Sequence, residues 1–345
     1  MSNSKSKVTL QDIADRLSVS KMTVSLALRG SKSVSKERRK LVNETAREMG
    51  YKPSYLFSKA MSLMKKKGLG HIRENIALIN ANEREDAFTN HPTIPQYISG
   101  IRKAAQNEGF SISEFWLNDP KLTERNFSKV LRFRGIKGGI IVGLMENNDL
   151  RGRFDSIWKY FKFVVTGVRT YNPTLNYVCT DHFLVSYHAT MRAIKSGCKR
   201  PALVLDKTID ELIEGRFTGG FLKAILSLNK RDRIDPFFEV KEANKDLSLF
   251  EKFFRKNRPD CIISLYNSPA RWLAEMGVDV SGKIALIQLE YREGLSPIWS
   301  GMNQRNDLVG EAAVFTLRRL LMDDRGISQN LITATLVSPE WVGNL

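Results

Sequence analysis

Between positions 20 and 29 this chain sets basic, hydroxyl and apolar side chains at helical spacing. A helix from Lys21 to about Leu28, capped by Ser20, turns Val24, Ala27 and Leu28 inward. Lys21, Met22, Ser25, Leu26 and Arg29 then fall on or near the outer face. Cations on such a face attract phosphate, and a short helix presented this way can enter the DNA major groove. The chemistry on offer is recognition, not bond making.

Elements that would hold this helix lie on both sides of it. Thr9 suits an N-cap, and Leu10, Ile13, Ala14 and Leu17 form one helical face. Ser18-Val19-Ser20 reads as a tight turn, with Val19 plugging between two helices. Gly30 suits the stop of the second helix. A third helix opens at Ser35, carries an inner stripe of Leu41, Val42, Thr45, Ala46 and Met49, and ends at Gly50. Three short helices with a polar turn after the first make an all-α helix-turn-helix unit, too small to stand well alone. It is expected as a head-piece, in pairs, on something larger.

Charge agrees with that division. The 345-residue chain carries a formal net charge of +17, of which residues 1–67 hold +11 through 16 Lys/Arg against 5 Asp/Glu. Counterion release makes such a basic segment a phosphate binder; a solvated basic face is the alternative. The sequence has no apolar run long enough for a membrane span, and its N-terminus has no signal-peptide pattern. Cys179, Cys198 and Cys261 are scattered and odd in number, which fits reduced thiols in a cytoplasmic protein. No P-loop, G-x-G-x-x-G after a strand or G-x-S-x-G elbow occurs. His182 and His188 are six apart, the wrong spacing for ligating a metal from one helical face. Neither catalysis nor a cofactor or metal is expected.

VTLQDIADRLSVSKMTVSLALRG, then VSKERRKLVNETAREMGYKP, resembles the head-piece of the lactose/galactose repressor family of bacterial transcription regulators. The matching features are V-T-x-x-D-I-A, V-S-x-x-T-V-S, V-S-x-x-x-R and G-Y-x-P, in order from Val8 to Pro53. The resemblance implies that Lys21, Met22 and Leu26 read base edges, Leu26 where many members have Arg. Leu offers only apolar contact there, for instance to a thymine methyl. It makes Thr23, Ser25, Arg29 and Ser35 phosphate clamps, with Ser20 both cap and clamp; for Thr23 and Ser35 capping alone is the other reading. The resemblance also implies a hinge after Pro53. Ala60 stands where members wedge a Leu into the minor groove, with Met61 or Leu63 as substitutes, Met61 preferred. An amphipathic linker helix is the alternative for that stretch.

From Asn75 onward apolar runs alternate with helical patterns. Candidate strands are Ile76–Ala81, Phe110–Leu117, Gly139–Leu144, Phe163–Val168, Ala202–Asp206, Phe237–Val240, Cys261–Leu265, Ile284–Leu289 and Thr333–Val337. Between them lie helical stretches such as Tyr97–Glu108, Glu124–Phe133, Phe183–Ser196 and Gly215–Leu228. The alternation predicts parallel α/β sheets. Expected boundaries are a DNA-binding domain at 1–51, a hinge and linker at 52–74, and a two-lobed domain for effector binding and dimerisation at 75–345.

ISGIRKAAQNEGF, KGGIIV, VCTD, GCKRPALV, GRFTGGFLKAI and PDCIIS, in that order, resemble the same family's two-lobed, periplasmic-binding-protein-like core. The resemblance implies ligand contacts from Arg216, Asn267, Glu290, Trp299 and Asn306. Trp299 either stacks on a sugar ring or packs in the core; Glu290 either binds ligand or caps a turn. Gly167 stands where a ligand-binding Asp often stands. Arg169 beside it either favours an anionic ligand or is a surface residue.

The whole implies a homodimeric repressor on pseudo-palindromic double-stranded operator DNA. It would be controlled by a small ligand, a carbohydrate, between the lobes. A second reading is a regulator answering to a protein co-regulator or a non-sugar ligand, with a degenerate cleft. A transport-type binding protein is a third, opposed by the basic head-piece.

Overall fold

The computed structural model describes residues 8–28, 33–51, 74–280, 284–291, 299–323 and 331–343. The chain divides into two compact units, the first ending at residue 72.

The first unit contains α1 (Leu10–Arg16), α2 (Lys21–Leu28) and α3 (Lys36–Glu48). Thr9 and Asp12 cap α1 reciprocally: the Asp12 amide donates to Thr9 Oγ1 at 3.3 Å, and the Thr9 amide to Asp12 Oδ2 at 2.7 Å. Those bonds hold the exposed Asp12 carboxyl below its usual pKa. The chain then turns through Ser18 in the left-handed region, φ 47°. Ser20 Oγ accepts the Thr23 amide at 3.0 Å, starting α2, and Ser35 Oγ accepts the Arg38 amide at 3.2 Å, starting α3. Ile13, Ala14, Val24, Ala27, Val34, Val42 and Ala46 form the small core. Leu41 departs from the expected inner stripe: it is 51% exposed, because the stripe of α3 runs through Val42, Thr45 and Ala46.

The second unit begins with β1 (Glu74–Asn80), α4 (Ala87–Asn90), α5 (Ile94–Glu108), β2 (Phe110–Trp116), α6 (Glu124–Phe133) and β3 (Gly138–Val142). It continues with α7 (Asp155–Tyr160), β4 (Lys162–Thr166), β5 (Asn176–Thr180), α8 (His182–Lys195), β6 (Pro201–Val204), α9 (Lys207–Leu212) and α10 (Arg216–Ile225). After these come α11 (Val240–Ala243), α12 (Ser248–Asn257), β7 (Cys261–Ser264), α13 (Ser268–Glu275), β8 (Ala285–Gln288) and β9 (Ser300–Asn303). The last elements are α14 (Asn306–Leu321), β10 (Ala334–Val337) and β11 (Glu340–Val342).

Two sheets result, ordered β10-β5-β4-β3-β1-β2 and β11-β9-β8-β7-β6. The first is parallel throughout; in the second only β11 runs antiparallel. Each sheet has helices on both faces, and strands such as β1, β3, β4 and β7 accordingly read as largely apolar runs. The chain passes between lobes three times: from β5 to α8, from β9 to α14, and from β10 to β11. One apolar cluster spans both lobes, from Ile79, Phe127 and Val165 to Phe217, Ile263 and Met302.

Phe237–Val240 is not a strand. Phe237 makes one bridge to Val204, and the chain turns into α11. Pro236 lacks an amide to donate, which limits pairing beside the edge strand β6. β5, β9 and β11 were not among the expected strands: β9 and β11 are short and partly polar, and each depends on sheet partners distant in sequence.

Two helix crossings are close enough to exclude any side chain. A Cβ on Gly100 of α5 would stand 1.8 Å from the Asp307 carbonyl oxygen; one on Gly310 of α14 would stand 2.3 Å from that of Tyr97. In the other lobe, a Cβ on Gly220 of α10 would meet the Phe183 carbonyl oxygen of α8 at 2.3 Å. Backbone cannot rotate away as a side-chain tip does. Gly310→Ala should therefore cost about 1–3 kcal/mol by overpacking, read as a lower melting temperature of the full chain. An unchanged melt would mean the two helices separate freely.

Candidate nucleic-acid interface and interlobe cleft

On α2, Lys21 and Met22 are exposed, Met22 to 69%, while Val24 and Ala27 are fully buried. Thr23 and Ser25 are half-buried. Thr23 Oγ1 shares a hydrogen bond with Ser20 Oγ at 2.8 Å, so both hydroxyls take part in the cap. Leu26 does not project freely outward. It is half-buried and packs against the head-piece core, since its position on α2 lies between the buried and exposed faces. Arg29, Ala60 and Met61 lie outside the described residues.

The lobes face each other at the carboxyl ends of their strands, where ligands of open α/β sheets collect. Arg169 follows β4, Asn267 follows β7 and Glu290 follows β8, while Arg216 opens α10 and Asn306 opens α14. Four of the five expected ligand residues fall into two polar groups.

The first group centres on Glu290. Its Oε1 accepts Asn306 Nδ2 at 2.9 Å and its Oε2 accepts the Thr93 hydroxyl at 3.2 Å, both contacts reaching from one lobe to the other. Asn306 is 1% exposed, and its Oδ1 has no hydrogen-bond partner. Asn267 accepts a hydrogen bond from Gln288 Nε2. Tyr97 is buried nearby; burial, with the charge of Glu290 and the Cys179 thiol adding to it, drives its pKa up. A Cβ on Gly167 would lie 3.5 Å from the Tyr97 hydroxyl, and Gly167 has φ +87°. The phenol therefore faces the room that a side chain at 167 would enter, in a backbone conformation an Asp would hold only under strain.

The second group centres on Tyr177. Arg169 Nη2 and Arg216 Nη2 each donate to its hydroxyl at 3.1 Å. Both guanidiniums lie near its ring, 5.4 and 5.8 Å from the centroid. Glu214 reaches the same point from the other lobe, accepting from Arg216 and from the Tyr171 hydroxyl at 2.5 Å, with Arg169 Nε 3.3 Å away. Burial would raise the Glu214 pKa, but bonds from Tyr171 and Arg216 and the two arginine charges lower it on balance. Burial opposes the charge of Arg216, and its bonds to Tyr177 and Glu214 outweigh that, so it stays a cation. Cys179 Sγ, 3.7 Å from Arg216, is pushed up to about 12 by burial against the pull of that arginine. His182, edge-on to Phe217, is held down to about 3 by burial and by Arg216, and its Nδ1 has no partner.

Trp299 is corrected. It is 4% exposed and belongs to the apolar cluster of Trp272, Ile284 and Leu286, a core position with no face free for a sugar ring. Arg169 is also not a simple surface residue, being tied to Tyr177 and Glu214. Sequence reasoning missed Tyr97, Thr93, Tyr171, Tyr177 and Glu214. The one local signal was Glu214-Gly215, a turn before a helix. Among the described residues no cluster of His, Cys, Asp and Glu suits a metal, and no helix is long and apolar enough to cross a membrane.

Residues 9–54 match the family described as "Bacterial regulatory proteins, lacI family". The chain is 25% identical to the NTD biosynthesis operon regulator NtdR of Bacillus subtilis (strain 168) over 258 residues, 74% of this chain and 73% of that one. It is 26% identical to the HTH-type transcriptional regulator MalR of Streptococcus pneumoniae serotype 4 over 197 residues, 57% of this chain and 56% of that one. Its fold is similar to the transcriptional regulator CelR–cellobiose complex (TM-score 0.58, 17% identity, 98% of this chain and 99% of that one). It is equally similar to the lac repressor dimer bound to operator and the anti-inducer ONPF (TM-score 0.58, 17% identity, 98% of both chains).

Buried neutral His182 makes folding pH-dependent. Its folded pKa lies below the unfolded value near 6.5, so the unfolded chain binds the extra proton. The stability from keeping it neutral is complete above about pH 6.5 and is lost as pH falls toward 3. Between pH 7.5 and 5.5 the loss is about 1 kcal/mol. His182→Gln should therefore show a smaller fall in melting temperature over that range than the unmodified chain. An equal fall would place the sensitivity elsewhere.

Proposed function

Because the chain belongs to the lacI family of bacterial regulatory proteins, and so is a DNA-binding transcriptional regulator and not an enzyme, we propose that it is a cytoplasmic repressor switched by a small ligand. Two copies bind a pseudo-palindromic operator, since a two-fold dimer presents its two head-pieces symmetrically. Lys21 and Met22 read base edges, with Leu26 contributing apolar contact at its exposed side. Ser20, Thr23, Ser25, Arg29 and Ser35 hold phosphates, which set register without reading sequence. Ala60 and Met61 belong to the hinge in this reading.

The ligand lies between the lobes, in contact with Arg216, Asn267, Glu290 and Asn306. The observation that carries this is the placing of these residues at strand ends and helix starts where the lobes meet, in two polar groups, with buried Asn306 Oδ1 unpartnered. Unpaired buried polar atoms are costly, and a hydroxyl-bearing ligand relieves that cost. A carbohydrate supplies such hydroxyls, and cellobiose in the CelR complex is a precedent on the same fold. Ligand that binds one arrangement of the lobes better biases the equilibrium toward it, and the coupling to operator affinity is reciprocal.

Operator sites selected from random DNA provide the test. Lys21→Ala combined with Arg29→Ala should abolish binding to the selected site while the circular dichroism stays native. Arg29→Ala alone should lower the salt slope by about 1, the loss of one phosphate contact. A sugar that binds the cleft should shift operator affinity by about 5–150-fold. Wild-type affinity in the double variant would refute the assigned DNA face; a bound sugar without effect on operator affinity would refute the switch.

A further inference from the structure

Two arginines converge on one phenol at the edge of the cleft, and only one carboxylate serves both. Arg169 belongs to the first lobe and Arg216 to the second, and both donate to Tyr177. Like charges held this close repel unless an anion lies between them. Glu214 supplies it. Its backbone sits in the left-handed region at φ 61°, followed by Gly215 at φ 70°, a turn that aims the carboxylate back onto the arginines. The turn is fixed from behind: the Gly215 amide donates to the Asp210 carbonyl at 2.8 Å, and the Asp210 carboxylate accepts the Thr218 amide at 3.2 Å.

The neighbouring charges do not change this balance. Asp149 is ion-paired with Arg151, and Asp181 caps α8. Burial holds Cys179 and His182 neutral. Among the described residues, two cations and one anion remain. Arg169 Nε lies near Glu214 without a hydrogen bond, and the Nδ1 of 6%-exposed His182 is unpartnered beside Arg216. A single carboxylate cannot fill both guanidinium forks at once. Arg169 is still 41% exposed on its side chain, so the pair is accessible from solvent.

We propose that Glu214 is a stand-in for an anionic group of the effector, a carboxylate or a phosphate that displaces it from Arg169 and Arg216. This deepens the reading of an interlobe ligand and rests on it. Displacement also breaks the Glu214 contacts that reach Arg169 and Tyr171 across the cleft, and the ligand anion makes the bridge in their place. A neutral sugar can bond Arg216 but leaves the Arg169–Glu214 contact as it is.

The test is titration calorimetry of the full chain with sodium phosphate and, separately, sodium acetate, at constant ionic strength balanced with chloride. Glu214→Gln should bind one of the two anions about tenfold or more tightly than the unmodified chain, as the competing carboxylate is gone. The anion that gains more identifies phosphate or carboxylate as the effector's group. Adding Arg169→Gln should return the affinity to the unmodified level. Glu214→Ser repeats the test should the amide misfold, with melting curves as the check. The proposal is overturned if neither anion gains on both Glu214 variants, or if the gain survives Arg169→Gln. Operator binding and its response to neutral sugars, measured on the unmodified chain, report separately on the proposed function.

Discussion

The cleft depends on helix backbones touching without side chains between them. Gly100 and Gly310 each face a carbonyl of the opposite helix, so α5 and α14 cross at backbone contact. That crossing fixes three groups at once. Thr93 and Tyr97 lie at the start of α5 and Asn306 begins α14; Thr93 and Asn306 donate to Glu290, whose charge helps raise the Tyr97 pKa. A shift of one helix by the thickness of a methyl group would displace the bonds that define this end of the cleft. Gly220 plays the same part in the other lobe, where α10 meets α8 and so sets Arg216 and Phe217 against His182. Close-packed interiors transmit small displacements instead of absorbing them, which is the property a two-lobed switch needs.

The polar bonds across the cleft are fewer and of a different kind. Thr93 and Asn306 to Glu290, Tyr171 to Glu214, Arg216 to Tyr177 and Asn148 Nδ2 to the Leu212 carbonyl at 3.4 Å are hydrogen bonds that join the lobes. Each contributes about 1 kcal/mol at most when it replaces a bond to water, somewhat more where a charge takes part. On the first-lobe side Gly167 stands in a left-handed conformation with Tyr97 behind it, and Arg169 follows two residues on.

The legible parts of this architecture were those whose cause is local. Thr9, Ser20 and Ser35 mark helix starts because their hydroxyls accept amides two or three residues ahead, so the head-piece could be drawn from spacing alone. Most central strands were legible because both faces are buried; β5 is equally buried but mixes polar with apolar residues, and was not among those expected. The family resemblance then supplied Arg216, Asn267, Glu290 and Asn306 as residues that converge. What stayed hidden is what only the interlobe geometry creates. Tyr177 reads as one more aromatic on a buried strand, and Glu214 as a turn residue; Arg169 and Tyr177 are near in sequence, and Glu214 meets them only through the fold. Trp299 misled for the converse reason: an aromatic near a crossover fits a sugar platform or a core equally well, and only its apolar neighbours distinguish them.

The head-piece carries a similar rearrangement of emphasis. Leu26, half-buried against the core of its own unit, has part of its surface already occupied, whereas Met22 leaves most of its side chain in water. An exposed Met at the start of a recognition helix costs solubility unless something covers it, and a thymine methyl is a suitable cover. Apolar contacts of this kind discriminate bases less sharply than a bidentate arginine does. On the proposed reading, more of the binding free energy then falls to phosphates, through a segment holding +11 of the chain's net charge. On that same reading the effector has to supply the contrast. When sequence discrimination is modest and electrostatic attraction strong, free-energy coupling from the cleft must do more to separate the bound from the released state. A cleft whose resting bonds are weak and exchangeable, set on helices that cannot yield, meets that requirement.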